Sequence, residues 1–325
     1  MSNHGFTFLY APMEGITLSR FRQIHHEMFP GVSEYYTPFI APDSNGGFRA
    51  KFLRELTADC GRVPVVPQLL VNNEDAFCLT ADRLIDLGFR EINLNAGCPS
   101  GTVFSKHKGA GMFRDLASLD TLLDRIMDHA EKTGYRISVK TRMGVNSTDE
   151  FPEILEIYEK YPIKKLIVHA RCRDDFYQGR ADLTRFAETV SDCQIPLVYN
   201  GDIESEKDLE ALRLAAPQVA CVMIGRTAVA NPALFRVLQG GNQLTLQELK
   251  EFHDRLTEAW LEDGLSPVFT VERMKTLWSH MQAIFPENKR EVKAIMKSHT
   301  MDDYRSAVGT LLSTGTFQPE AVSGR

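Results

Sequence analysis

Long uncharged runs are missing from this 325-residue chain. The longest stretches without Asp, Glu, Lys or Arg, residues 92–105 and 306–319, are 14 residues each. A helix needs roughly 18–20 apolar residues to cross a bilayer, so no membrane span is expected. Cysteine is sparse: six residues, at 60, 78, 98, 172, 193 and 221, with no Cys-x-x-Cys pair and no Cys/His cluster at zinc spacing. That argues against a disulfide framework and a structural zinc site, and no metal is expected. Most of these thiols read as small buried side chains in a reducing cytoplasm. The first Lys or Arg is Arg20, so no secretory leader is expected. An excess of positive charge is lacking too: 37 Lys and Arg stand against 43 Asp and Glu, a net charge of −6. This argues against a protein that coats nucleic acid non-specifically, but leaves room for a local basic face. A G-x-G-x-x-G turn after an early strand is also absent, which disfavours a doubly wound dinucleotide fold.

The first ~240 residues alternate short β-rich runs with amphipathic helical stretches. Strands are expected at residues 7–10, 33–39, 65–69, 91–95, 137–141, 165–169, 196–200 and 220–224, with helices such as 76–87, 119–132 and 205–215 between them. Eight such alternations are the arithmetic of a TIM (β/α)8 barrel. From about residue 243 the strand signal stops. Gly240-Gly241-Asn242 reads as a linker, and Thr245-Leu-Gln-Glu248 as a capping box opening a helix. Further helices are expected around Met274–Ile284, over 287–298 after Pro286, and over 302–313. Residues 315–325 are expected to fray. The expected division is a barrel over 1–241 and a small all-α domain over 242–325, in a monomeric protein.

Strand periodicity places the chemistry. Residues i and i+2 share a face of a strand. Four strand ends carry polar pairs on one parity: Asn93 and Asn95, Lys140 and Arg142, His169 and Arg171, Asn200 and Asp202. Ile92, Leu94, Val139, Val168 and Leu197 hold the other parity and belong under the helices. The polar set therefore points into the mouth, where barrel active sites lie. Glycine turns follow the seventh and eighth strands, at Gly201 and at Gly225-Arg226. In those two loops they suit a bound phosphate, although each alone is an ordinary tight turn. Cys98 sits between Gly97 and Pro99 at a strand end beside Asn95, on a fixed turn. It fits a nucleophile or a general acid. A thiol with a pKa near ~8.5 stays protonated at neutral pH and can donate.

Tyr10-Ala-Pro-Met-Glu-Gly15, Gln68-Leu-Leu70, the Asn93 to Ser100 block with its Gly-Cys-Pro-Ser, Gly109-Ala-Gly111, Val139-Lys-Thr-Arg-Met-Gly144, His169 through Gly179, Asn200-Gly-Asp202 and Met223-Ile-Gly-Arg226 occur in this order. Together they resemble the motifs of the tRNA-dihydrouridine synthase family. The resemblance implies an FMN-dependent barrel that reduces the C5=C6 bond of uridines in tRNA to 5,6-dihydrouridine, with NADPH recharging the flavin. By motif position, Pro12, Met13 and Glu14 would line the flavin ring or hold its loop. Gln68 would bond the ring, and Lys140 would sit at its N1/O2 edge. His169, Asn200, Gly201, Asp202, Gly225 and Arg226 would surround the ribityl phosphate. Asn95 and Arg171 would face the uracil, and Cys98 would protonate C5 as hydride arrives at C6 from flavin N5.

The segment 272–299 holds Arg273, Lys275, Lys289, Arg290, Lys293 and Lys297, with Trp278 and His280 nearby. It reads either as an RNA-binding face or as a charged helix face over a core Trp. Two other functions fit parts of the pattern: a small-molecule FMN oxidoreductase of the dihydroorotate dehydrogenase type, and a catalytically idle RNA binder.

Overall fold

The structure, a computed structural model, describes residues 5–43, 45–57 and 62–321. Cys60 lies outside the described residues. The strands are β1 (Thr7–Tyr10), β2 (Glu34–Tyr36), β3 (Val65–Val66), β4 (Gln68–Leu69), β5 (Glu91–Ala96), β6 (Arg136–Arg142), β7 (Leu166–His169), β8 (Leu197–Asn200) and β9 (Cys221–Ile224). They form one parallel sheet in the order β3-β2-β1-β9-β8-β7-β6-β5-β4. β3 and β4 are two halves of a single stave, interrupted at Pro67, which has no N–H for a ladder. β3 pairs with β2 and β4 pairs with β5, so the sheet closes into an eight-stave barrel. β2 is shorter than the expected 33–39 because Pro38 likewise cannot donate. The chain rejoins the sheet only at the isolated Ile40–Leu69 bridge.

Alternation along the staves sorts the side chains. Ile92, Leu94, Val139, Val168 and Leu197 belong to the large core under the helices. Leu9, Ala11, Tyr36, Val66, Ile167, Val198 and Met223 make a separate apolar layer. Ile167, Val198 and Met223 stand two residues before His169, Asn200 and Gly225, so this layer fills the barrel directly beneath the polar mouth. Two residues earlier again, Lys165 pairs with Glu34 and, at 3.3 Å, with Glu91. The Tyr36 hydroxyl donates to Glu34 at 3.1 Å. An ion cluster thus plugs the N-terminal end of the barrel.

After the barrel come helices Leu246–Glu262, Pro267–Met281, Lys289–Lys297 and Met301–Thr314. The first opens on the expected capping box: Thr245 Oγ1 accepts the Glu248 N–H, and the Glu248 carboxylate accepts the Thr245 N–H. These helices share one hydrophobic core with the barrel's outer layer. Phe252 packs edge-on against Phe21 and Phe29 at 5.5 and 5.4 Å. Tyr304 ties the helices together, its hydroxyl meeting His253 Nε2 at 2.6 Å and accepting Trp278 Nε1–H at 2.9 Å. Trp278 is therefore core. The expectation of fraying does not hold over 315–321. The Gln318 N–H donates to the Ile284 carbonyl at 2.9 Å, Asn231 Nδ2 donates to the Pro319 carbonyl at 3.0 Å, and Phe317 packs on Phe285.

Candidate active site

The C-terminal mouth of the barrel is a cavity whose walls come from loops after most of the staves. Its lining includes Pro12, Met13, Glu14, Gln68, Asn95, Cys98, Lys140, His169, Asn200, Gly201, Asp202, Gly225 and Arg226. Arg171 stands behind His169 rather than on the wall. It is 1% exposed, and its guanidinium donates to Asp202 Oδ2 (2.7 Å), the Gly179 carbonyl (2.9 Å) and His169 Nε2 (3.1 Å). A guanidinium only donates, so Nε2 accepts and the His169 ring carries its proton on Nδ1.

The walls are built by strand register. Gln68, Asn93 and Asn95 face the same interior because Gln68 pairs with Asn93 across the ladder. Gln68 Nε2 donates to Asn93 Oδ1 (2.8 Å), Asn93 Nδ2 donates to Ser138 Oγ (2.9 Å), and Asn95 Nδ2 donates to Gln68 Oε1 (2.7 Å). Asn95 Oδ1 then accepts the N–H groups of Gly97 (3.1 Å) and Cys98 (2.9 Å). This chain of amides fixes the turn that carries the thiol. Gly109 closes it from outside: its φ is +57°, and a Cβ there would lie 2.8 Å from the Cys98 Cβ. A side chain at 109 would push Cys98 out of place.

The opposite wall is cationic. Asp202 clamps Arg171 through Oδ2 and Arg226 through Oδ1 at 3.1 Å. The Tyr177 ring lies beneath two guanidinium groups, Arg142 at 5.3 Å and Arg226 at 5.2 Å, and 6.3 Å from the His169 ring. Gly201 has a reason of its own beyond any phosphate: a Cβ there would fall 2.2 Å from the Tyr199 hydroxyl. The helix Arg226–Ala230 is only five residues long, so positive charge on this wall comes from side chains rather than a helix dipole.

Electrostatics follow from burial in this field. Burial holds His169 well below its usual pKa, and Arg142, Lys140, Arg171 and Arg226 push the same way, so the imidazole is neutral. Burial and then Arg142 bring Lys140 down to about 7. Burial raises the Cys98 thiol, against smaller downward pulls from the Ser100 backbone, Arg142 and Lys140. The thiol is thus protonated at neutral pH. Of the other described cysteines, Cys172 is buried, and Cys78, Cys193 and Cys221 are half-buried. Burial raises all four.

The sequence pattern did not single out Tyr177. It sits in the irregular loop after β7, and it reaches the site through Arg142 and Arg226, which lie far from it along the chain. In the basic segment, Lys275 is buried and paired with Glu272 at 2.7 Å, and Arg273 lies over Trp260 at 5.2 Å. Lys289, Arg290, Lys293 and Lys297 are exposed, and among the described residues none of them makes an ion pair.

A protonated thiol, a half-buried lysine and a neutral histidine share one cationic cavity at a barrel mouth. A sequence profile described as dihydrouridine synthase (Dus) matches residues 9–307. The chain belongs to the dihydrouridine synthase family. It is 27% identical over 257 residues to tRNA-dihydrouridine synthase B of Pseudomonas aeruginosa, covering 77% of this chain and 75% of that one. It is 29% identical over 259 residues to a probable tRNA-dihydrouridine synthase of Rhodobacter capsulatus, 77% of each chain. A tRNA-dihydrouridine(16) synthase of Haemophilus influenzae is 26% identical over 246 residues, 74% of this chain and 78% of the other. Among solved structures, morphinone reductase aligns with a TM-score of 0.51 at 12% identity, covering 73% of this chain and 86% of that one. The old yellow enzyme of Trypanosoma cruzi aligns with a TM-score of 0.51 at 10% identity, covering 74% and 89%. These two likenesses concern the barrel fold.

Proposed function

We propose that this chain reduces the C5=C6 bond of uridines in tRNA, with FMN held in the barrel mouth and NADPH as electron donor. Family membership carries the reaction class. The observation that carries the site is the protonated Cys98 thiol in one cavity with Lys140. The donor set suits an anionic flavin nucleotide: burial keeps His169 neutral, and the four cations Arg142, Lys140, Arg171 and Arg226 act on it in the same direction. Arg226, backed by Asp202, and the neutral His169 would hold the phosphate end. Gln68 would hold the ring system by its amide, and Lys140 would stabilise negative charge gathering there. Pro12, Met13 and Glu14 form the adjoining loop, braced by Met13 N–H to Thr17 Oγ1 at 2.9 Å. When bound, FMN supplies the hydride.

The chain's own residues do the rest. Asn95 presents its remaining amide hydrogen beside Cys98, suited to a uracil carbonyl. Arg142 and the half-exposed Tyr177 ring border the same space. Cys98 holds the proton that C5 takes up. The exposed cations on the helix Lys289–Lys297 give the C-terminal helices an RNA-facing side on an otherwise acidic protein. The overall balance is uridine plus NADPH plus a proton, giving dihydrouridine and NADP⁺. Purified protein incubated with NADPH and unmodified tRNA is expected to yield dihydrouridine, read by nucleoside mass spectrometry. Folded protein that takes up no FMN would overturn the cofactor assignment. FMN-loaded protein that makes no dihydrouridine would overturn the substrate.

A further inference from the structure

Beside the cavity mouth stands a pile of rings and cations that the reaction does not use. The Arg173 guanidinium lies over the Phe104 ring at 4.4 Å and over the Phe176 ring at 5.1 Å. Arg114 adds a second guanidinium over Phe104 at 5.4 Å. The pile joins two loops that the site already fixes. Phe104 ends the short helix Gly101–Phe104 that follows the Cys98 turn. Phe176 lies in the loop after β7, where its backbone carbonyl accepts Arg142 Nη2. Phe176 is 42% exposed and has a φ of +49°. Left-handed backbone is costly for a bulky residue. Its effect here is to send consecutive rings to different places: Tyr177 into the cavity wall, Phe176 outward onto Arg173.

We propose that Phe176, backed by Arg173 and Phe104, is a stacking platform for the base next to the uridine that enters the cavity. The proposal rests on the function given above. A uridine drawn into the barrel leaves its neighbour without a stacking partner. A ring at the rim, one residue from the cavity wall and about 3.8 Å away along the backbone, replaces that partner. Aromatic stacking is tolerant of base identity, and the cations around the ring suit the adjacent phosphates. Arg173 is paired with Asp174, and Arg114, over the Phe104 ring, is an exposed positive group of this rim.

The test compares wild type with Phe176→Ala, which keeps the backbone strain and removes the ring, and with Phe176→Tyr, which restores a ring. Substrates are tRNA, a trinucleotide with 2-aminopurine beside the target uridine, and uridine monophosphate, which has no neighbour. Phe176→Ala is expected to keep its FMN and its NADPH-driven flavin reduction. Its kcat/KM on tRNA is expected to fall about 5- to 150-fold, the worth of one stacked base at about 1.4 kcal/mol per tenfold. Quenching of 2-aminopurine on binding should disappear, turnover of uridine monophosphate should hold, and Phe176→Tyr should restore quenching and tRNA turnover. Retained quenching in Phe176→Ala, or an equal loss on uridine monophosphate, overturns the platform. If Phe176→Ala fails to load FMN, Phe176→Leu keeps the apolar bulk on Arg173 without the ring and is read the same way. A wild type inactive on every substrate sinks the proposed function instead.

Discussion

The side-chain oxygen of Asn95 accepts the backbone N–H of Cys98 at 2.9 Å, so the residue proposed to meet the base also sets the position of the thiol. Cys98→Ala leaves that bond in place and removes only the proton source. FMN content and NADPH-driven flavin reduction are expected to stay normal, since neither uses the thiol. Uracil reduction should fall about 10²–10⁴-fold, the worth of a positioned general acid. Cys98→Ser should recover only part, because a hydroxyl is a far weaker acid. Single-turnover oxidation of pre-reduced enzyme by tRNA reads the step directly, and a wild-type rate in Cys98→Ala would remove the acid role.

Gly109→Ala reaches the same thiol from outside. A left-handed alanine costs about 1–2 kcal/mol, and its Cβ would meet the Cys98 Cβ at 2.8 Å. The expected result is a lowered melting temperature and slow tRNA reduction in protein that still binds FMN. Unchanged turnover per flavin would show that Cys98 tolerates the shift.

Lys140 gives a pH signature. In the cofactor-free protein its pKa is about 7, against about 10.4 for an unfolded lysine. Between those values the unfolded chain binds more protons than the folded one, so this group makes cofactor-free stability rise with pH over that window. An anion entering the pocket favours the charged amine, so FMN binding at pH 8 should take up a proton and weaken as pH rises towards 10. Calorimetry in buffers of different ionisation enthalpy measures the uptake, and Lys140→Met should abolish it.

The exposed cations of the helix Lys289–Lys297 should act on RNA alone. Reversing charge at Lys289, Arg290 and Lys293 is expected to weaken tRNA binding and flatten its dependence on salt. Each lost phosphate contact removes about 0.7–0.9 from the slope of log K against log salt. An unchanged slope would place the RNA face elsewhere.

The barrel was legible because strand parity is a strict period. Asn95, Lys140, His169 and Asn200 fall on the interior parity, and the structure puts all four on the cavity wall. Depth was not legible. Asn93 shares the parity of Asn95 but is fully buried, spent on Gln68 and Ser138, and Arg171 shares that of His169 but supports it from behind. Parity says which way a side chain points, not how far along the axis the cavity reaches. Nor could the sequence separate Lys275 from Lys289, since charge alone does not reveal which lysine a tertiary contact has buried. The last described residues looked like a tail because their anchors, Ile284 and Asn231, come from distant elements.

The plug of Lys165, Glu34 and Glu91 has a kinetic consequence. With apolar side chains packed above it, the barrel has no rear exit, and the cavity is a cul-de-sac. Under the proposed function, a nicotinamide and a uracil would both need the same flavin ring in this cavity and would use the same doorway, one after the other. Oxidised nicotinamide would then have to leave before RNA enters. Initial rates at varied NADPH and tRNA should therefore give parallel double-reciprocal lines, the mark of a ping-pong exchange; lines that intersect would mean that both substrates reside in the pocket together.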